Sequence, residues 1–234
     1  DGSSAAWASD PGAGEALYDV ARDVVFALFR AGLLPVYALP AYRIAEVAHF
    51  ADTADARAYV CAGTFGGFDY RGLAAELQRR CPQVKHVIVA QGDAGPYLAL
   101  DAVADDAAGP SLPASVSYPE DTAFLQTSGG TTGLPKLIPR THDDYIYTLR
   151  ESARICGLDK DSVFLCALPM THNFPMSSPG FLGTLYAGGC TVLSPVPDPA
   201  TCFELIERER ATFTSLVPPL LLLWLKAAEA TARD

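Results

Sequence analysis

The 234-residue chain is short of positive charge. Seventeen lysines and arginines stand against 27 aspartates and glutamates, a formal net charge of −10. A field of that sign repels nucleic acid and anionic membrane surfaces, so neither is expected as a partner. It leaves room for a phosphorylated small molecule, because a local array of backbone amides binds phosphate even on an acidic protein. Long apolar runs are missing too. The most apolar stretch, Leu216 to Leu225, is about half the length a bilayer requires and carries Pro218 and Pro219. No basic segment followed by an apolar one opens the chain, so no secretory leader is read and a cytoplasmic protein is expected.

The six cysteines, Cys61, Cys81, Cys156, Cys166, Cys190 and Cys202, form no C-x-x-C pair, and the four histidines are scattered. A zinc site is therefore not expected, and the thiols read as free, buried side chains of a reducing compartment. Internal repeats and low-complexity tracts are absent. So are a G-x-x-x-x-G-K-[ST] loop and a G-x-G-x-x-G turn after the first strand, which sets aside Walker-type nucleotide binding and a dinucleotide-binding redox domain.

What is present suits a packed core: 50% apolar and 19% charged residues, with a mean hydropathy of +0.16. After an Ala/Gly/Ser-rich opening, residues 1–16, read as a frayed or cut end, apolar residues recur at helical spacing from Leu17 to Gly32. The pattern then predicts a strand over Leu33–Leu39, a helix over Arg43–Thr53 and a strand over Ala58–Cys61. A helix over Tyr70–Arg80 and a strand over Val84–Ala90 follow. Buried β-branched strands alternating with helices point to an α/β fold of parallel sheets flanked by helices. Residues 91–120 break the regularity, which places a boundary between a first lobe, 1–118, and a second, 119–234. The second lobe reads as strand Thr122–Gln126, helix Asp143–Cys156, strand Ser162–Ala167, a loop around His172 and a helix over Pro179–Ala187. Strand Cys190–Ser194, helix Cys202–Arg210, strand Ala211–Val217 and helix Leu220–Glu229 complete it.

The strongest chemical signal follows the apolar strand AFLQ: Thr127, Ser128, Gly129, Gly130, Thr131, Thr132, Gly133, Leu134, Pro135 and Lys136. Its glycines let successive N–H groups turn towards one anion, its hydroxyls add donors and Lys136 adds a positive charge. That inventory suits a polyphosphate, against the plainer alternative of a surface turn without a ligand. A second constellation, Leu168 to Gly180, places His172, Asn173, Ser177 and Ser178 beside Phe174, Met170 and Met176. Apolar walls with a few placed polar groups are what an aromatic acid needs, and Asn173 and Ser178 carry groups able to read ring hydroxyls. Taken alone, this stretch reads more readily as a structural turn.

The segment SGGTTGLPK resembles the phosphate-binding signature of the adenylate-forming superfamily. Its continuation, KLIPRTHDDY, together with HNFPMSSPG at 172–180, resembles the aryl acid–AMP ligases of siderophore biosynthesis. The likeness extends through Phe26–Phe50, Gly67–Arg71, Leu182–Gly189, Phe203–Glu209 and Leu216–Pro219. It implies the two-lobed N-terminal domain of those enzymes and activation of an aromatic carboxylic acid by ATP. It further implies Mg²⁺ bridging the phosphates near Thr131, and transfer of the acyl group to the phosphopantetheine thiol of an aryl carrier protein. By the same likeness Thr127 to Gly133 and Lys136 hold the phosphates, and His172 lies at the carboxylate and α-phosphate. Asn173 and Ser178 would contact ring substituents, and Phe174 would line the pocket. A hydroxyl at Ser178 resembles activators of 2,3-dihydroxybenzoate, where activators of salicylate tend to carry cysteine; a pyridine or other hydroxy-aryl acid stays open. An aryl- or acyl-CoA ligase and a non-catalytic ligand-binding remnant remain as alternatives. The superfamily's adenine, ribose and Mg²⁺ residues and its mobile C-terminal domain have no counterpart up to Asp234, so little adenylation is expected of these 234 residues alone.

Overall fold

A computed structural model describes residues 24–104, 117–128 and 133–231. They form two compact units that divide between His142 and Asp143. The expected opening segment 1–16 and residues 17–23 of the expected Leu17–Gly32 helix lie outside the described residues.

In the first unit residues 24–30 are helical (α1). Helix α2, Ile44–Thr53, begins where the Glu46 carboxylate accepts the Arg43 N–H at 3.0 Å, filling one of the donors that a helix start leaves open. Strand β1, Ala58–Cys61, is followed by a small hairpin, β2 Thr64–Phe65 and β3 Phe68–Asp69. Its turn needs two positive φ angles, supplied by Gly66 at 57° and Gly67 at 76°. Helix α3, Tyr70–Arg80, is capped by Asp69, which accepts the Arg71 N–H at 2.9 Å. Strand β4, His86–Val89, β5, Leu98–Ala99, and the short helix α4, Leu100–Ala104, follow. The sheet order is β1-β4-β5, all parallel. Val47, Ala48 and Ala51 of α2 pack on Leu73 and Leu77 of α3, while Ala74 and Tyr70 meet Cys61, Val87 and Val89 of the sheet.

Strands β6, Thr122–Thr127, and β7, Leu137–Thr141, pair antiparallel, with Thr127 opposite Leu137. The other edge of β6 is held by residues 35–37: Leu125 N–H donates to the Pro35 carbonyl at 2.9 Å and Tyr37 N–H to the Leu125 carbonyl at 3.1 Å. The strand expected over Leu33–Leu39 is therefore a single parallel bridge, Val36 to Leu125. This attachment also explains why the units divide after His142 and not in the 91–120 connection: the β6–β7 pair is tied to the earlier part of the chain. β5 and α4 occupy a stretch whose composition reads as irregular.

The second unit begins with α5, His142–Cys156, whose first residue closes the first unit. Then come β8 Val163–Cys166, α6 Asn173–Ser177, α7 Gly180–Tyr186 and β9 Cys190–Leu193. They are followed by α8 Pro199–Glu209, β10 Phe213–Thr214 and α9 Pro218–Thr231. The sheet is parallel throughout, in the order β10-β8-β9, so β8 is central and its Phe164 and Leu165 are fully buried. Leu165, Ala167 and Val192 meet Cys202 and Leu205 of α8 and Trp224 of α9, whose indole N–H donates to the Pro197 carbonyl at 3.0 Å. The α/β class read from the sequence holds in both units. Among the described residues no helix is long and apolar enough to cross a membrane. All six cysteines are free; Cys61, Cys81, Cys166 and Cys202 are buried, Cys190 is half-buried and Cys156 exposed.

Candidate functional site

In the first unit the phosphate-loop segment is the connection of the β6–β7 hairpin. Its base is closed by Ser128 N–H donating to the Lys136 carbonyl at 2.9 Å and Lys136 N–H donating to Ser128 Oγ at 3.3 Å. Thr127, Ser128 and Lys136 are thus gathered at one mouth, with Gly133 and the Lys136 side chain exposed. Gly129, Gly130, Thr131 and Thr132 lie outside the described residues, and with them the expected Mg²⁺ position at Thr131. Thr127 Oγ1 accepts from the Tyr42 phenol at 3.4 Å. Beside it in the strand, Gln126 is buried and its Nε2 has no partner among the described residues. β7 escapes sequence reading because Pro139 and Arg140 look like loop. Pro139 is tolerated because β7 is an edge, paired on one side only by β6.

In the second unit the 168–180 segment leaves the carboxyl end of β8, the central strand of a parallel sheet. Ligands of open α/β sheets collect at that end of the strands. The segment folds into α6 where the sequence reads as loop, since Asn173-Phe174-Pro175 gives weak helical signal. His172 is the N-cap. Its Nδ1 accepts the Phe174 N–H at 3.2 Å, which puts the proton of the neutral ring on Nε2, and the side chain is exposed. Ser177, fully buried, donates to the Asn173 carbonyl and to Asn173 Oδ1, both at 3.2 Å. With Oδ1 engaged, the half-buried Asn173 amide has its nitrogen without a partner among the described residues. Phe174 is half-buried and Ser178 exposed. His172, Asn173, Phe174 and Ser178 therefore sit on one turn and its flanks. Met170 and Met176, by contrast, are core residues at 5% and 1% exposure and do not line an open wall.

The turn is held closed behind these groups. Ser178–Pro179 is a cis peptide, and Gly180 follows at φ 56°. A Cβ on Gly180 would collide with the Pro175 carbonyl, so only glycine fits. Thr184 Oγ1 donates to the Gly180 carbonyl at 2.7 Å. At the end of β8, burial pushes the Cys166 thiol up to about 12, so it offers no thiolate at neutral pH. Ser177 is the residue that sequence reading left without a role. The signal was its i+4 spacing from Asn173. Among the described residues no group of three or more His, Cys, Asp or Glu could hold a metal ion.

The sequence pattern of the AMP-binding enzyme family matches residues 24–234. Over 213 residues the chain is 53% identical to 2,3-dihydroxybenzoate-AMP ligase of Bacillus subtilis, covering 91% of this chain and 38% of that protein. It is 46% identical over 205 residues to salicyl-AMP ligase / salicyl-S-ArCP synthetase of Mycobacterium tuberculosis, covering 88% of this chain and 36% of that one. Among solved structures, apo MbtA of Mycobacterium smegmatis superposes with a TM-score of 0.81 at 46% identity, covering 87% of this chain and 37% of that chain. The chain thus spans about 38% of the length of the first of these relatives.

Proposed function

The chain belongs to the AMP-binding enzyme family, and from that premise we propose that it supplies the phosphate-binding and acid-recognising segments of a ligase that joins an aromatic carboxylic acid to AMP. The overall reaction consumes ATP and the acid and yields aryl-adenylate and pyrophosphate; the carboxylate oxygen attacks the α-phosphorus and pyrophosphate leaves. The residues of this chain act by holding groups in place and by offering donors to charge, and no covalent enzyme intermediate is required. Thr131, Thr132 and Lys136 hold the β- and γ-phosphates, and Thr127, Ser128 and the loop glycines add further donors to the phosphates. Mg²⁺, when bound, offsets phosphate charge; no described cluster of this chain offers it a site of its own.

The observation that carries the acid side is the set of donors left over once α6 has satisfied itself: His172 Nε2–H, the Asn173 amide nitrogen and the Ser178 hydroxyl. His172 meets the carboxylate end, Asn173 and Ser178 meet hydroxyls on the ring, and Phe174 supplies an apolar contact. A second hydroxyl donor at Ser178 favours a 2,3-dihydroxylated ring over salicylate. The acyl group then passes to the phosphopantetheine thiol of a carrier protein, a reading supported by the carrier-protein product in the name of the mycobacterial relative.

Calorimetric titration of this chain with 2,3-dihydroxybenzoate and with salicylate tests the proposal. Saturable binding, tighter for the dihydroxylated acid and weakened about three- to tenfold by Asn173→Ala and by Ser178→Ala, is expected for one lost hydrogen bond each. Binding indifferent to both substitutions would remove the assignment of this turn.

A further inference from the structure

Thr127 ends β6 at the hairpin mouth, and its hydroxyl oxygen accepts a hydrogen bond at 3.4 Å from the Tyr42 phenol, 85 residues earlier in the chain. The phenol is held by a built support. Its ring meets Phe50 of α2 edge-on at 5.4 Å between centroids. The Tyr42 carbonyl accepts from Arg43 Nη1 at 2.9 Å, and the same nitrogen donates to the Pro40 carbonyl at 2.8 Å. That carbonyl also accepts the Tyr70 hydroxyl at 2.7 Å. The Arg43 guanidinium lies over the Phe68 ring, 4.0 Å from its centroid. Tyr42 N–H closes the turn on the Leu39 carbonyl at 3.0 Å. Residues of α2, β3 and α3 thus fix the loop that carries the Tyr42 hydroxyl to Thr127.

We propose that Tyr42 is a positioning residue of the phosphate loop, acting through Thr127; the inference rests on reading the β6–β7 hairpin as a polyphosphate site. A threonine hydroxyl carries one proton and two lone pairs. With a lone pair engaged by Tyr42, the Thr127 proton is the part of the hydroxyl left for an anion, and accepting one hydrogen bond strengthens the one it donates. Removing the phenol oxygen frees the Thr127 hydroxyl to rotate, and the anion loses a pre-oriented donor. The contact ties the entry to α2 to the base of the phosphate loop, which neither the loop's own composition nor its neighbours in sequence disclose.

The test is a double-mutant cycle read by binding of magnesium tripolyphosphate to the chain as it stands, unsubstituted and as Tyr42→Phe, Thr127→Val and the pair. Phenylalanine keeps the ring against Phe50 and removes only the oxygen. Expected are a three- to tenfold weaker tripolyphosphate affinity for Tyr42→Phe, an unchanged melting temperature, and no further loss when Tyr42→Phe is added to Thr127→Val. Undiminished affinity in Tyr42→Phe, or an equal loss with and without Thr127, overturns the inference. So does a loss that follows a fall in melting temperature, which marks a merely structural tyrosine. Failure of the unsubstituted chain to bind tripolyphosphate removes the hairpin's phosphate reading and this inference with it, while the aryl-acid titration stands or falls separately.

Discussion

At His172 the fold occupies one ring nitrogen and leaves the other to the proposed ligand role. Nδ1 caps α6 and Nε2–H faces outward from an exposed side chain. The two roles separate by substitution. His172→Asn keeps a good N-cap acceptor and loses the outward donor, so it is expected to hold the melting temperature and weaken aryl-acid binding. His172→Ala loses both, with an added stability cost of about 1 kcal/mol. Thermal melts and titrations on the two variants decide it; equal binding by His172→Asn and the unsubstituted chain would refute a ligand role for Nε2. Gly180 is the stricter position. Its φ of 56° and the close Pro175 carbonyl leave no room for a methyl group, so Gly180→Ala should cost about 2 kcal/mol or more by denaturant unfolding. Both residues show why part of the site was legible in the sequence. A His-Asn pair and a Pro-Gly step stand out by type, but which nitrogen is occupied depends on where a backbone N–H comes to lie.

Among the elements, α8 shows how a helix boundary responds to pH. Asp198 caps it, Pro199 fills its first position and Arg210 ends it at φ 55°. Hydrogen bonds from Thr201 hold the Asp198 carboxyl below its ordinary value. A folded-state pKa lowered in this way contributes stability that is present above the unfolded value, about 4, and is lost as pH falls through the folded one. Asp198→Ala should therefore cost about 1 kcal/mol at pH 7, and the gap from the unsubstituted chain should narrow below about pH 4 in urea titrations. A gap independent of pH would assign the cost to something other than the charged cap. The sequence located this helix three residues late, because a Pro near its start reads as a breaker until the preceding Asp is recognised as the cap. The β6–β7 hairpin is the larger difference. A strand containing Pro139 becomes visible only once its partner strand is in place.

The whole molecule has a probe in its thiols, which are spread over both units. Burial raises Cys61 and Cys166 to about 12 and Cys81 to about 11, and raises Cys202 as well, while Cys156 is exposed. Raised values mean protonated, unreactive sulfur throughout the neutral range. Alkylation at pH 8 followed by mass spectrometry should label Cys156 first and Cys190 more slowly. The four buried cysteines should be labelled only as denaturant opens the unit that holds each. Rapid labelling of Cys166 in the native chain would contradict its burial at the end of β8. If Cys61 and Cys81 open at a different denaturant concentration from Cys166 and Cys202, the two units unfold separately.

The sequence by itself determined the α/β class and most helices of both units, and it singled out the two candidate segments, 127–136 and 168–180. These depend on local periodicity, turn chemistry and residue type, which are written along the chain. Only the tertiary structure decided that the units divide after His142, that Met170 and Met176 belong to the core, that Ser177 engages the Asn173 amide and that Tyr42 reaches Thr127. Each of those is a pairing of groups brought together by packing. The distance between two side chains 85 residues apart is fixed by the sheet and helices around them, not by the residues between them.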